Sequence, residues 1–189
     1  MGRIVEPTDL EIVKIFRRDK NEGFRLLYDK YSERIMSVCR RYSTDKSQAM
    51  DYFQDAMVRI YRKMNSFKFC DEGSLFRWMS RVAVNLILDS LRIKERWLCI
   101  ELDEGKTGSS FDLEYADSVK VPEEVMLGMI EKLSPAKRIV FNLSAIEGYS
   151  FKQIGSLLGV SEDGASSTMS KARKELSAMV KDYLKQNEE

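Results

Sequence analysis

The sequence predicts an all-α protein built from two small helical domains joined by an acidic linker. Three observations carry that expectation. Apolar residues recur at three- and four-residue spacing through most of the chain, which is the period of an amphipathic helix rather than of a strand. Only 3 prolines and 10 glycines interrupt 189 residues, too few for a turn-rich β fold. Charge comes in blocks: residues 1–97 hold 20 Lys+Arg against 14 Asp+Glu, residues 98–125 hold 2 against 8, and residues 126–189 hold 9 against 8. A basic first half, an acidic middle and a balanced end describe two units and a chemically distinct connector, drawn here as 8–97, 98–122 and 123–186.

Composition narrows the function as well. There is no histidine, so the commonest general base, every Ser-His or Cys-His nucleophile pair and every His-based metal site are excluded. The cysteines, Cys39, Cys70 and Cys99, are odd in number and form no CxxC, so neither a disulfide framework nor a zinc site is expected. No glycine-rich phosphate loop is present. The expectation is a chain with no catalytic residues, no metal, no cofactor and no small-molecule substrate. MGRIVEPTDLEI lacks an apolar signal core and no stretch could span a bilayer, so a reduced cytoplasm is the simplest home.

The helices are justified in order. Thr8 or Asp9 can cap a first helix carrying Ile12, Val13, Ile15 and Phe16. A second, over 22–42, places Phe24, Leu27, Tyr31, Ile35, Val38 and Tyr42 at helical spacing. Ser47 is a plausible N-cap for a third, over 48–64, whose apolar stripe includes Ala49, Tyr52, Phe53, Ala56, Met57 and Ile60. Asp51, Gln54 and Asp55 share one face beside that stripe. Like charges four apart repel, so this face is either merely solvated or a docking surface for a basic partner.

The segment 65–74, NSFKFCDEGS, alternates Phe67 and Phe69 with Lys68. Such rings serve as core plugs or stack on unpaired bases. A fourth helix, over 75–97, puts Leu75, Met79, Val82, Leu86 and Ile93 on one side and Arg77, Arg81, Asn85, Arg92 and Arg96 on another, with Trp78 at the border. A cationic stripe with an embedded Asn suits phosphate contacts plus one base or backbone contact.

Residues 98–122 lose periodicity and read as the linker. Beyond it, Pro122 and Glu123 open a helix ending near Leu133, and Ser134-Pro135 starts another that stops at Gly148. Ser150 to Gln153 forms a capping box, Gly159 ends that helix, and Ser161 starts the last, over 162–183. Helix, glycine-containing turn, helix is the helix-turn-helix pattern, whose second helix enters the major groove. Lys171, Arg173 and Lys174 would supply phosphate-binding charge there.

Three blocks then resemble one family. AMDYFQDAMVRIYRKMNSF is similar to the region-2 pattern A-E-D-L-x-Q-[DE]-x-F of RNA polymerase sigma factors, with Ala49, Asp51, Gln54 and Asp55 matching and Met50 and Met57 departing. SLFRWMSRVAVNLILDSLRIKER resembles the same family's F-x-x-W-L-x-R-I-A-x-N-x-x-x-D-x-x-R stretch through Trp78, Arg81, Ala83, Asn85, Asp89 and Arg92. KLSPAKRIVFNLSAIEGYSFKQIGSLLGVSEDGASSTMSKARKEL resembles region 4. The resemblance is to the short extracytoplasmic-function (ECF) sigma factors of the sigma-70 family. It implies that Asp51, Gln54 and Asp55 bind the β′ coiled coil of core polymerase and that region 4 meets the β flap. It implies that Phe67, Lys68, Phe69, Arg77, Trp78, Arg81, Asn85, Arg92 and Arg96 serve the −10 element. Ser161, Glu162, Ser166, Ser167, Thr168, Ser170, Lys171, Arg173 and Lys174 would serve the −35 element. The acidic linker would thread toward the polymerase's RNA path, and an anti-sigma factor is an implied partner.

The family often carries Lys or Arg where this chain has Ser166 and Thr168, and guanine readout needs those cations. The expectation is an unusual −35 sequence or reliance on DNA shape. Two other readings make different predictions. A helix-turn-helix regulator would bind DNA tightly without polymerase, and a sigma-like interaction protein would titrate a partner without initiating transcription.

Overall fold

The computed structural model describes residues 6–94 and 121–187. The linker 98–122 lies almost wholly outside these, as does Arg96, and nothing is described of the Arg92 side chain. The chain divides into two units, with the division after Asp89. The described residues form eight α-helices and no strand, so the fold is all-α.

The first unit contains α1 (Asp9–Arg18), α2 (Lys20–Tyr42), α3 (Lys46–Lys63) and α4 (Ser74–Lys94), the last reaching past the division. Thr8 caps α1 in a reciprocal box with Glu11. Asp19 is the only residue between α1 and α2 and serves both. Its backbone N–H donates to the Ile15 carbonyl to close α1, while its carboxylate accepts from the Asn21 and Glu22 amides at 2.9 and 3.1 Å to open α2. Asp45 rather than Ser47 caps α3, accepting from the Ser47 amide at 2.9 Å. A carboxylate at that position also answers the positive end of the helix dipole, so the helix begins two residues earlier than the hydroxyl suggested.

The apolar stripes meet as their spacing predicts. Ile12 and Phe16 of α1, Leu27 and Ile35 of α2, Ile60 of α3, and Leu75, Met79 and Ile87 of α4 are fully buried. Helices α1 and α2 approach so closely at Gly23 that a Cβ there would lie 2.3 Å from the Phe16 Cα. Cys39 is buried within this unit, and burial pushes its thiol up to about 12, so it behaves as a small apolar side chain.

The second unit contains α5 (Glu123–Lys132), α6 (Pro135–Phe141), α7 (Phe151–Leu158) and α8 (Glu162–Asn187). Proline stands at the first position of α6, as expected. The helix then widens into a π turn over Asn142–Ile146, with the Glu147 amide donating to the Asn142 carbonyl, before Gly148 turns the chain at φ +74. Arg138 is buried and its guanidinium donates to the Glu131 carbonyl at 3.1 Å, tying α6 to the end of α5. Met129, Ile130 and Leu133 pack against Ala172 and Leu176 of the long α8.

The turn between α7 and α8 is set by two glycines. Gly159 adopts the left-handed conformation that closes α7. Gly155 lies against the turn, where a Cβ would sit 2.7 Å from the Val160 carbonyl oxygen. Ser150 and Gln153 form the capping box, and the Ser161 hydroxyl accepts from the Gly164 amide at 3.0 Å to start α8.

Gly23→Ala is expected to force α1 from α2, because the obstructing atoms are backbone. The loss should reach about 3 kcal/mol, read as a shift of the urea midpoint. Gly128→Ala on α5, where nothing lies within 4 Å, should instead gain up to about 1 kcal/mol.

Candidate functional site

Three surfaces collect the residues singled out by the sequence. On α3, Asp51, Gln54 and Asp55 are all exposed on one face. Gln54 also borders a groove of ≈ 450 Å³ between α2 and α3, lined otherwise by aromatic and aliphatic groups including Phe24, Phe53 and Tyr61. Tyr28, Met50 and Val58 stand 43–48% exposed on its walls. Helix α3 is therefore apolar on two sides: one stripe is buried in the bundle, and a second, through Met50 and Val58, faces out beside two carboxylates. The sequence reading identified the acids and missed the groove. Its signal was present in Met50, which stands where the family pattern has a glutamate.

The second surface is the segment 65–74 with α4. Arg77, Arg81 and Asn85 are exposed one turn apart, and Lys68 is exposed in the loop. Arg77 already forms an ion pair with Asp71. Asp89, the acid within α4 itself, lies 3.4 Å from Arg59 on α3. Trp78 and Phe69 are half-buried. Of the two roles open to Phe67, it takes the core plug, against the −10 contact that the resemblance implied. It is 4% exposed, with its centroid 5.2 Å from that of Trp78, so it plugs the core. The single turn Met64–Ser66 after α3 directs it inward.

The third surface is the first half of α8. Ser161, Glu162, Ser166, Lys171 and Lys174 are exposed, and Ser170 and Arg173 are half-buried. Ser167 and Thr168 are corrections to the expected contact set, being 7% and 4% exposed. The Thr168 hydroxyl donates to the Gly164 carbonyl at 2.9 Å, inside its own helix. Thr168 follows the core residue Ala165 by three and precedes Ala172 by four, which places it on the packed face.

One cluster was not anticipated. The Asp9 carboxylate is fully buried and accepts hydrogen bonds from the Tyr31 hydroxyl, from Lys30 Nζ at 3.1 Å and from the Gly73 amide at 2.8 Å. The Glu72 carboxylate in turn accepts from the Asp9 amide at 2.8 Å. Phe76 stacks on the Tyr31 ring at 5.9 Å, with the Arg34 guanidinium 3.7 Å above Phe76. Burial pushes the Asp9 carboxyl up, but the bonds from Tyr31, Lys30 and Gly73 outweigh it and hold the group below its ordinary 3.8. Burial and the neighbouring carboxylate push the Tyr31 hydroxyl well above its usual range, so it remains a donor.

Family comparisons agree with this geometry. The Sigma-70 region 2 model matches residues 27–97, which include the α3 face and α4. The Sigma-70 region 4 model matches residues 123–176, which include the helix-turn-helix. The two lie in that order and together take in about two-thirds of the chain.

The chain belongs to the sigma-70 family.

Its relatives include the RNA polymerase sigma-H factor of Pseudomonas aeruginosa, 23% identical over 82% of this chain and 84% of that protein. The ECF RNA polymerase sigma-E factor of Escherichia coli K12 is 23% identical over 80% and 83%. The ECF sigma factor SigW of Bacillus subtilis is 25% identical over 90% and 95%. The fold is shared with the sigma factor RpoE of Bartonella quintana, solved in complex with the anti-sigma factor NepR, at a TM-score of 0.50 and 19% identity over 85% of this chain and 98% of that one. This sigma factor is thus of the ECF type, a promoter-specificity subunit of RNA polymerase. No helix among the described residues is long and apolar enough to cross a membrane.

Well above pH 3.8 the Asp9 carboxyl is ionised in both the folded and the unfolded chain, and its contribution to stability is complete. Because the folded value is the lower one, that contribution declines as pH falls below 3.8 and vanishes once the folded group protonates. Urea unfolding as the pH falls from about 5 toward 3 should show wild type losing more stability than Asp9→Asn, so that the difference between the two narrows.

Proposed function

We propose that this sigma factor docks on core polymerase through α3, with Asp51, Gln54 and Asp55 meeting basic groups of the β′ coiled coil. The observation that supports this is the pairing of two like charges one turn apart with an open apolar groove beside them. Exposed apolar walls of that kind mark interaction surfaces. A basic amphipathic helix satisfies both features at once, since its cations answer Asp51 and Asp55 while its apolar edge enters the groove. The same seat suits an anti-sigma factor, whose binding would then exclude polymerase.

The second surface serves the −10 element. Arg77, Arg81 and Asn85 face outward at one-turn spacing, suited to successive phosphates and one base edge or backbone contact. Arg92 and Arg96 continue that face by sequence. With Phe67 committed to the core, Lys68, Phe69 and Trp78 remain to meet an unstacked base; extrusion costs a few kcal/mol, offset by stacking and pocket contacts. The third surface serves the −35 element, with region 4 held at the β flap. Ser161, Glu162, Ser166 and Ser170 form its base-facing part, and Lys171, Arg173 and Lys174 its phosphate contacts. With Ser167 and Thr168 turned inward, the first two turns of α8 offer no cation for guanine, which favours readout through hydroxyls, DNA shape and phosphates. The net negative charge of the linker sequence suits it to the polymerase's cationic RNA path before the transcript enters.

The deciding experiment is run-off transcription by core polymerase, with and without this protein, on promoters mapped upstream of transcription starts after its overproduction. Promoter-dependent transcripts are expected, and their absence on every mapped promoter overturns the reading. The double variant Asp51→Ala, Asp55→Ala should weaken core binding about tenfold with an unchanged unfolding midpoint; unchanged affinity removes α3 from the interface. Arg81→Ala should lower the slope of log affinity against log salt for promoter DNA by about one unit, and an unaltered slope returns Arg81 to plain solvent exposure.

A further inference from the structure

We propose that α1 is a splint for the segment between α3 and α4, with Asp9 and Arg17 as positioning residues for promoter opening. The proposal rests on the reading of that segment as part of the −10 interface. Residues 6–26 lie ahead of the family match, which begins at residue 27, so the match assigns α1 no role.

Both ends of the segment are tied to α1. At the C-terminal end the tie is reciprocal. Asp9, the first residue of α1, accepts from the Gly73 amide immediately before α4, and Glu72 accepts from the Asp9 amide. Each carboxylate thus satisfies a donor at the start of the other's helix, the logic of a capping box spread over two helices 63 residues apart in sequence. Gly73 takes φ +89, which the turn requires and which a side chain would strain. At the N-terminal end, the Arg17 guanidinium donates to the Phe67 carbonyl at 3.4 Å, behind the buried Phe67 ring.

The spacing determines what this does. Asp9 and Arg17 lie eight residues apart on one helix, a rise of roughly 12 Å. Six residue steps join Phe67 to Gly73, enough to reach ~20 Å when extended. That contour exceeds the rise between the two tying residues, which leaves slack for the stretch between them to stand outward. Lys68, Cys70 and Asp71 are exposed in that stretch and Phe69 half-exposed, so the groups that would meet a displaced base are presented on a clamped arch. None of the groups that clamp it lines the α2–α3 groove.

The test compares wild type, Asp9→Asn, Glu72→Ala and Arg17→Ala. Glu72 and Arg17 are exposed, so their truncation buries no unpaired charge and covers the case in which Asp9→Asn fails to fold. Three quantities are read: hydrogen exchange at the Gly73 and Ser74 amides, core-polymerase affinity, and opening of a mapped promoter carrying 2-aminopurine in its −10 element. Asp9→Asn and Glu72→Ala should each speed exchange about tenfold and slow opening to a similar degree, with core affinity unchanged. Arg17→Ala should slow opening with exchange at Gly73 unaltered. Faster exchange with normal opening overturns the positioning role. Unchanged exchange in Asp9→Asn and Glu72→Ala overturns the latch. A parallel fall in core affinity assigns these residues to general stability instead. If wild-type holoenzyme fails to open any mapped promoter, the −10 reading itself falls and the role of the splint with it, while the exchange data still report on the latch.

Discussion

A carboxylate taken fully out of water must have its charge answered by donors, and in the first unit that requirement falls on Asp9. Its donors come from Tyr31 and Lys30 of α2 and from the backbone ahead of α4. Satisfying one side chain therefore fixes three helices and the end of a loop relative to one another. Greasy packing of Ile12, Phe16, Leu27 and Leu75 supplies most of the driving force for the bundle, but such contacts are non-directional. The buried charge adds direction, because each donor must sit at hydrogen-bond distance and angle, and leaving the charge unanswered would cost several kcal/mol.

Helix α3 resolves a different tension. Its buried stripe satisfies the bundle, yet Met50 and Val58 remain on the outside beside Asp51 and Asp55. Neither arrangement helps the free chain: the apolar groups meet water and the acids repel. Under the proposed docking, both are relieved by one kind of partner, a basic amphipathic helix. The first turns of α8 show a related economy. Two of the four small polar residues in 166–170 turn inward, and Thr168 spends its donor on its own helix.

Much of this was legible in the sequence, and the exceptions have physical reasons. Helix order, the Ser150 capping box, the Gly159 terminus and the exposure of Asp51, Gln54 and Asp55 follow from local rules that act within one or two turns. The inward position of Thr168 was also available, since it shares a face with Ala165 and Ala172. It was overlooked because a helix thought to face DNA invites reading every polar residue as a contact. Phe67 was open between two roles, and only the direction of the short turn after α3 decides between them. The latch through Asp9 and Glu72 could not be read at all. Pairing across 63 residues leaves no periodic trace, and an acid at the start of a helix looks like a cap whichever way it points.

The single-residue joint at Asp19 has a consequence for how this sigma factor tolerates changes in length. Because the same residue closes α1 and opens α2, the rotational phase of the first helix is locked to that of the second. One inserted residue would turn α1 by about 100° and carry Asp9 off the axis of the Gly73 amide. The arch at 68–71 has contour to spare and can absorb an extra residue by bowing further. Length is thus rigidly specified at the one-residue hinge and loosely specified at the exposed arch.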